Sequence, residues 1–169
     1  MKPGNPYEQG QQKIIPAVLI YAFYQGKVLM LHRNKNPDDF HAGIWNGLGG
    51  KLEKGESPLE AAHREFLEES GIDAPLSSFS YAGFLQFPNF KPHKQEDWHC
   101  FVFRIDLSDE PGPLIEISEG TLSWIDSHQM TSLKLWEGDR FFIPLVLEKK
   151  NFLGTIWYED GKVKKQEFV

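Results

Sequence analysis

The chain has 169 residues, of which 40% are hydrophobic and 14% aromatic, enough to build the core of one ordinary domain and to exclude a disordered chain. With 18 Lys and Arg against 24 Asp and Glu the formal charge is −6, and no basic block is present, which argues against a surface that grips a nucleic-acid backbone. The lone cysteine, Cys100, excludes an intramolecular disulfide and reads as a buried strand residue between Trp98 and Phe101.

The first segment, "MKPGNPYEQGQQK", is polar and lacks an apolar signal region, so residues 1–12 are expected to form a flexible tail before a single domain over 13–169. No apolar run reaches the length of a membrane span, and the expectation is a soluble, cytoplasmic protein with no membrane partner. "IIPAVLIYAFY" (Ile14 to Tyr24) is β-rich and almost continuously apolar, as in a strand buried on both faces; "QGK" turns it into "VLMLHR" as a hairpin. A polar loop, "NKNPDDFHAG", precedes the glycine-dense "IWNGLGGKLEKGE", whose backbone can approach a ligand closely.

"SPLEAAHREFLEESG" is predicted to be a helix with defined ends. Ser57 serves as N-cap, Pro58 takes the first helical position, Glu60 completes a capping box and Gly71 terminates in the left-handed region. At 100° per residue Leu59, Ala62 and Phe66 fall within a ~60° stripe expected to face the core. Then come two strands, "FSYAGFLQF" and "WHCFVFRIDL", around a polar loop "PNFKPHKQED". "LIEISEGTLSWID" reads as extended with a bend near Gly120, and "WEGDRFFIPLVLEKK" as a helix that Pro144 should kink or begin. A closing hairpin turns at Asp160-Gly161. Strands and helices mixed in this order predict an α/β fold, a sheet sandwiched by helices.

The chemistry is concentrated on the first helix. Glu65, Glu68 and Glu69 lie three or four residues apart, within ~100° of arc beside the expected core stripe. Oxygen-only acidic clusters suit hard cations, and Mg²⁺ in particular is held by a few carboxylates together with substrate phosphates. Taken alone, the cluster is equally a solvated acidic face. The six histidines are scattered and show no zinc-ligand spacing.

The surrounding pattern decides between these readings. Gly50, Glu56, Arg64, Glu65, Glu68, Glu69 and Gly71 occupy all seven fixed positions of G-x5-E-x7-R-E-U-x-E-E-x-G-U, with Phe66 an aromatic variant of the first U and Ile72 fitting the second. At residue frequencies of ~6%, seven chance matches have a probability of about one in 10⁸ per window. The segment resembles the Nudix box. That resemblance implies an α/β/α sandwich around a mixed sheet, a loop-helix-loop catalytic motif, and hydrolysis of a nucleoside diphosphate derivative with Mg²⁺ or Mn²⁺. It implies metal ligation by Glu65, Glu69, Glu68 and the Gly49 carbonyl, with Glu68 alternatively the base. It also implies that Arg64 orients Glu65 and that Glu56 supports Arg64.

Outside the box, "WNGLGGK" and "WEGD" resemble the MutT-like, mammalian-type 8-oxo-dGTP diphosphatases. This second likeness implies that Asn46 and Asp139 bond the base, that Trp136 stacks on it and Phe87 walls it, that Arg33 contacts phosphate, and that Glu119 is an extra metal ligand or base. Each also has a structural reading: Asn46 as a turn residue, Trp136 as core, Asp139 as a helix N-cap. One departure stands out, because those enzymes carry two adjacent acids where this chain has Gly138-Asp139. The expected activity is conversion of an oxidised purine (deoxy)nucleoside triphosphate to monophosphate and pyrophosphate, by a monomer or homodimer acting on a small nucleotide rather than a nucleic-acid polymer. The alternatives are a Nudix hydrolase for an unmodified NTP, ADP-ribose, a dinucleoside polyphosphate or, against the acidic charge, an RNA end, and an inactive nucleotide-binding module.

Overall fold

Two apolar faces of one sheet organise the protein, which is described over residues 3–169 by a computed structural model. Among these residues the sheet runs β3-β2-β1-β6-β5-β8-β9, with β4 also pairing with β1 and β7 with β2. The strands are β1 (Lys13–Tyr24), β2 (Lys27–His32), β3 (Trp45–Asn46), β4 (Leu48–Lys51), β5 (Phe79–Lys91), β6 (Glu96–Asp106), β7 (Thr121–Asp126), β8 (Phe152–Glu159) and β9 (Lys162–Phe168). β1–β6 and β5–β8 are parallel and the other pairs antiparallel, so the sheet is mixed.

Strand alternation divides the core in two. Val18, Ile20 and Ala22 of β1 and Leu29 and Leu31 of β2 pack with Ala61, Ala62 and Phe66 of helix α1 (Pro58–Ser70). Tyr21, Phe23, Val28 and Met30 point the other way, into a cluster with Phe142, Ile143 and Val146 of helix α2 (Asp139–Leu147). The two clusters have no side chain in common but draw on the same strands, which makes the expected sandwich. β1 is buried from Ala17 to Phe23 apart from Leu19, as its apolar run predicts.

The ends of α1 follow local chemistry. Ser57 Oγ accepts from the Glu60 N–H at 3.1 Å, the Glu60 carboxylate accepts from the Ser57 N–H at 2.7 Å, and Gly71 adopts φ 74°. Its expected face needs correction: Ala62 and Phe66 are buried, but Leu59 is 38% exposed and Ala61 and Ser70 take the inner positions. The helix is rolled about its axis so that small Ala61 lies against the sheet. Pro144 sits inside α2, which already begins at Asp139, so the proline does not set its start.

The segment expected as a loop between β5 and β6 is mostly strand. β5 continues through Lys91, with the register shifting between Phe87 and Lys91, and only Pro92–Lys94 form a 3-10 turn before β6. Asp97 explains the geometry. Its carboxylate accepts from the Asn89 N–H (2.6 Å), Gln12 Nε2 (2.8 Å) and the Tyr7 hydroxyl (2.5 Å). The bulge is thereby tied to the N-terminal segment, of which residues 1–2 lie outside the described region. The hairpin at Asp160-Gly161 has both residues at positive φ, 51° and 77°, as its sequence predicts.

Candidate active site

β4 crosses β1 so closely that a Cβ on Gly49 would overlap the Val18 carbonyl, and a Cβ on Gly50 would overlap the Glu65 carboxylate. The two glycines therefore let α1 lay its acidic edge on the strand. Arg64 is the hub of that edge. Its guanidinium donates twice to Glu56 (2.5 and 2.9 Å), to Glu65 Oε1 (2.8 Å), to Glu68 Oε2 (3.3 Å) and to the Lys51 carbonyl (3.2 Å). The fork holds the Glu56 carboxyl down at about 2, and its own pKa is raised by the same bonds. Glu65 is well covered, whereas Glu68 reaches into solvent.

Glu69 is the most perturbed of the cluster. Burial pushes its carboxyl up to about 8, the charge and hydrogen bond of Glu65 push the same way, the Gly49 N–H opposes them, and the charge of Glu119 adds to the rise. Glu119, exposed on the loop before β7, is thus brought into the field of Glu69 although 50 residues separate them in sequence. Among the described residues no three acidic, histidine or cysteine side chains already converge on one ion-sized point. Two of the carboxylates, Glu65 and Glu68, are instead turned toward Arg64. An oxygen-only group gathered around a carboxyl that burial and neighbouring acids hold up fits a divalent cation, provided these side chains rotate toward it.

Glu69, Gly49 and Gly50 line a cleft of about 400 Å³. The same cleft is lined by Arg33, Asn46, Phe87, Trp136 and Asp139, so all five residues expected to touch substrate are gathered there from distant parts of the chain. Asn46 lies on β3 and Asp139 opens α2, with Gly138 in the cap position that Asp139 was otherwise a candidate to fill. Burial pushes the Asp139 carboxyl up to about 8 against an opposing backbone bond from Trp136. Arg33 is held by Asp39, with Nε donating to Oδ2 at 2.6 Å.

The Trp136 indole is fixed on two sides. Its Nε1–H donates to His41 Nδ1 at 2.7 Å, and Phe40 stacks on it at 5.4 Å and 27°. Burial first, and then the Arg33 charge, pull the His41 pKa down to about 4, which keeps the imidazole neutral and able to accept. Phe90 meets Phe40, Phe87, Trp136 and Tyr158. The Lys91 ammonium lies 4.8 Å from the Trp98 ring centre and 5.3 Å from that of Phe40. Sequence reasoning missed Phe40, His41, Phe90, Lys91 and Tyr158. For Phe40, His41 and Phe90 the available signal was aromatic rings inside segments otherwise read as polar loops, whereas Tyr158 lies in the expected closing hairpin and carried no signal.

Comparison with known proteins agrees with this geometry. Residues 13–146 match the NUDIX domain. The chain is 34% identical over 145 residues to the oxidized purine nucleoside triphosphate hydrolase of Danio rerio, covering 86% of this chain and 87% of that protein. It is 33% identical over 121 residues to the protein of the same name from Mus musculus, covering 72% and 74%. The MutT protein of Bacillus halodurans has the same fold, with a TM-score of 0.77 at 24% identity over 91% of this chain and 97% of that one. The acidic edge on α1, the glycine strand beneath it and these likenesses converge: the chain is a member of the Nudix hydrolase family.

Proposed function

We propose that the protein hydrolyses oxidised purine (deoxy)nucleoside triphosphates, such as 8-oxo-dGTP, to the monophosphate and pyrophosphate, clearing them from the nucleotide pool before polymerisation. The observation that carries this reading is the continuity of one cleft from Glu69 to Trp136, Asn46 and Asp139, a polyphosphate end joined to an aromatic, polar base end. The zebrafish and mouse relatives named as oxidized purine nucleoside triphosphate hydrolases support it.

Nudix hydrolases use divalent metal ions, and in this reading the ion is Mg²⁺, with Mn²⁺ as substitute, which Glu65, Glu69, Glu119 and the Gly49 carbonyl would hold, leaving Glu68 as the base. When bound, it supplies positive charge against the polyphosphate and Lewis acidity toward the attacking water. Arg64 aims Glu65, and Glu56 fixes Arg64. Glu68, more solvated than Glu56 or Glu65, takes the proton from water as its oxygen bonds phosphorus. The P–O–P bridge breaks and pyrophosphate leaves. In this reading Arg33 contacts phosphate, Trp136 and Phe87 take the faces of the base, and Asn46 takes its edge; that all four line one cleft supports it. Asp139, protonated near neutrality, offers a donor.

A nucleotide panel assayed with Mg²⁺ tests the reading. One mismatched buried hydrogen bond costs ~1–3 kcal/mol, a factor of about 10–200. The expected result is kcat/KM for 8-oxo-dGTP about tenfold or more above that for dGTP, with pyrophosphate released. Asn46→Ala should lower that preference more than it lowers turnover of dGTP. Equal efficiency on both nucleotides, or release of inorganic phosphate, overturns the substrate assignment.

A further inference from the structure

Gly138 sits between two acids, and the structure shows why that position carries no side chain. A Cβ there would overlap the Tyr158 hydroxyl and press on Ile156. The phenol of β8 thus fills the volume that a side chain at 138 would take. It arrives there by a defined route. The β8–β9 ladder shifts register between Trp157 and Tyr158, and a bulge of this kind re-aims a side chain. The ring then stands edge-on to Trp136 (5.6 Å, 76°) and near Phe90 (5.8 Å), inside the same cleft as Asn46 and Asp139.

Its hydrogen bonding is half complete. The Gly138 N–H donates to Tyr158 Oη at 2.7 Å, which occupies a lone pair and anchors the oxygen. Among the described residues the hydroxyl hydrogen meets no acceptor. An O–H is both donor and acceptor, and this one lines the cleft with its donor unused by the protein, free to meet a ligand acceptor. Burial raises the phenol pKa, so the proton stays in place across the working range.

We propose that Tyr158 is a specificity-determining residue whose hydroxyl donates to a ring carbonyl of the purine base, in the place a polar side chain at position 138 would otherwise occupy. The inference rests on the proposed reading of Trp136, Asn46 and Asp139 as the base site. It gives that site a donor aimed at carbonyl-bearing purines over purines that have none. The Asp139 carboxyl supplies a neighbouring group, so base discrimination is divided between two residues on different elements, α2 and β8.

The test is equilibrium binding by calorimetry of two monophosphates, 8-oxo-dGMP, which bears ring carbonyls, and dAMP, which bears none, to the wild type and to Tyr158→Phe. The substitution removes one oxygen and keeps the ring, and a Tm within a few degrees of wild type confirms that the variant is folded. The expected result is a loss of about tenfold or more for 8-oxo-dGMP with little change for dAMP. An equal loss for both, or none for either, in a protein whose wild type still prefers 8-oxo-dGMP, would show that Tyr158 only braces the Gly138 turn. That outcome overturns the proposal and leaves the substrate reading intact. A wild type with no preference for 8-oxo-dGMP removes the base-site reading and this inference with it.

Discussion

Asp139 illustrates how far one buried carboxyl can shape behaviour. Its pKa is raised to about 8 in the fold, chiefly by burial, from an ordinary value of 3.8. The folded state therefore binds a proton that the unfolded state has released across the interval between those values. Stability from this group is highest at or below the ordinary carboxylate range and falls as pH rises toward 8. Asp139→Asn keeps the shape and removes the titration. The expected outcome is a variant that melts higher than wild type at pH 8, by on the order of 1–2 kcal/mol once partial access through the cleft is allowed for, with the gap closing by pH 5. Thermal melts at the two pH values check this, and a constant difference would mean that the carboxyl is not the titrating group. The resemblance of "WEGD" marked the same residue as an expected base contact, but its raised pKa was not legible, because burial depends on Tyr21, Tyr158 and the strands beneath.

At the scale of elements, α1 separates what local chemistry decides from what packing decides. Phe66 is fully buried between helix and sheet, and Phe66→Ala should cost ~3–5 kcal/mol. Leu59, on the same predicted stripe, is exposed, and Leu59→Ala should cost less than ~1 kcal/mol. Urea melts of the two variants distinguish the observed roll of the helix from the predicted one; similar losses would restore the predicted face. The helix ends were readable because Ser57, Glu60 and Gly71 act on their own backbone. The roll was not, because it is set by how small Ala61 fits against β1 and β4. The β5–β6 bulge was hidden for a related reason. Its determinant, Asp97, takes hydrogen bonds from Tyr7 and Gln12, far away in sequence, and no local pattern signals that. Phe90 and Lys91 entered the cleft through this misread segment. The acids of α1 were readable because their spacing is that of one helix, and the five cleft residues only through likeness to a family.

Across the whole molecule, the site joins the two cores. The acids belong to the helix packed on one face of the sheet, and the aromatic end of the cleft, the proposed base site, draws on α2 and β8 on the other. In the apoprotein the Glu69 carboxyl is raised chiefly by burial, and the like charges of Glu65 and Glu119 add to that rise. A cation that binds only the folded state offsets this repulsion and stabilises by mass action, about 2.7 kcal/mol at a hundredfold excess over Kd. Glu69→Gln should relieve the like-charge contact, raising apo stability by a few tenths of a kcal/mol, and should lose most of the increment from Mg²⁺. Turnover should fall by about 10³-fold or more, since the charge that organises the transition state goes with the ligand. Phe66→Ala behaves in the opposite sense, starting from a lower melting temperature yet retaining its response to Mg²⁺, because it leaves every carboxylate in place. Melting curves of the three proteins with Mg²⁺ and with excess chelator separate a metal-binding acidic edge from a merely solvated one. If Glu69→Gln kept the full Mg²⁺ increment, or if the wild type turned nucleotide over undiminished in chelator, the acidic edge of α1 would have to be reassigned to a structural role.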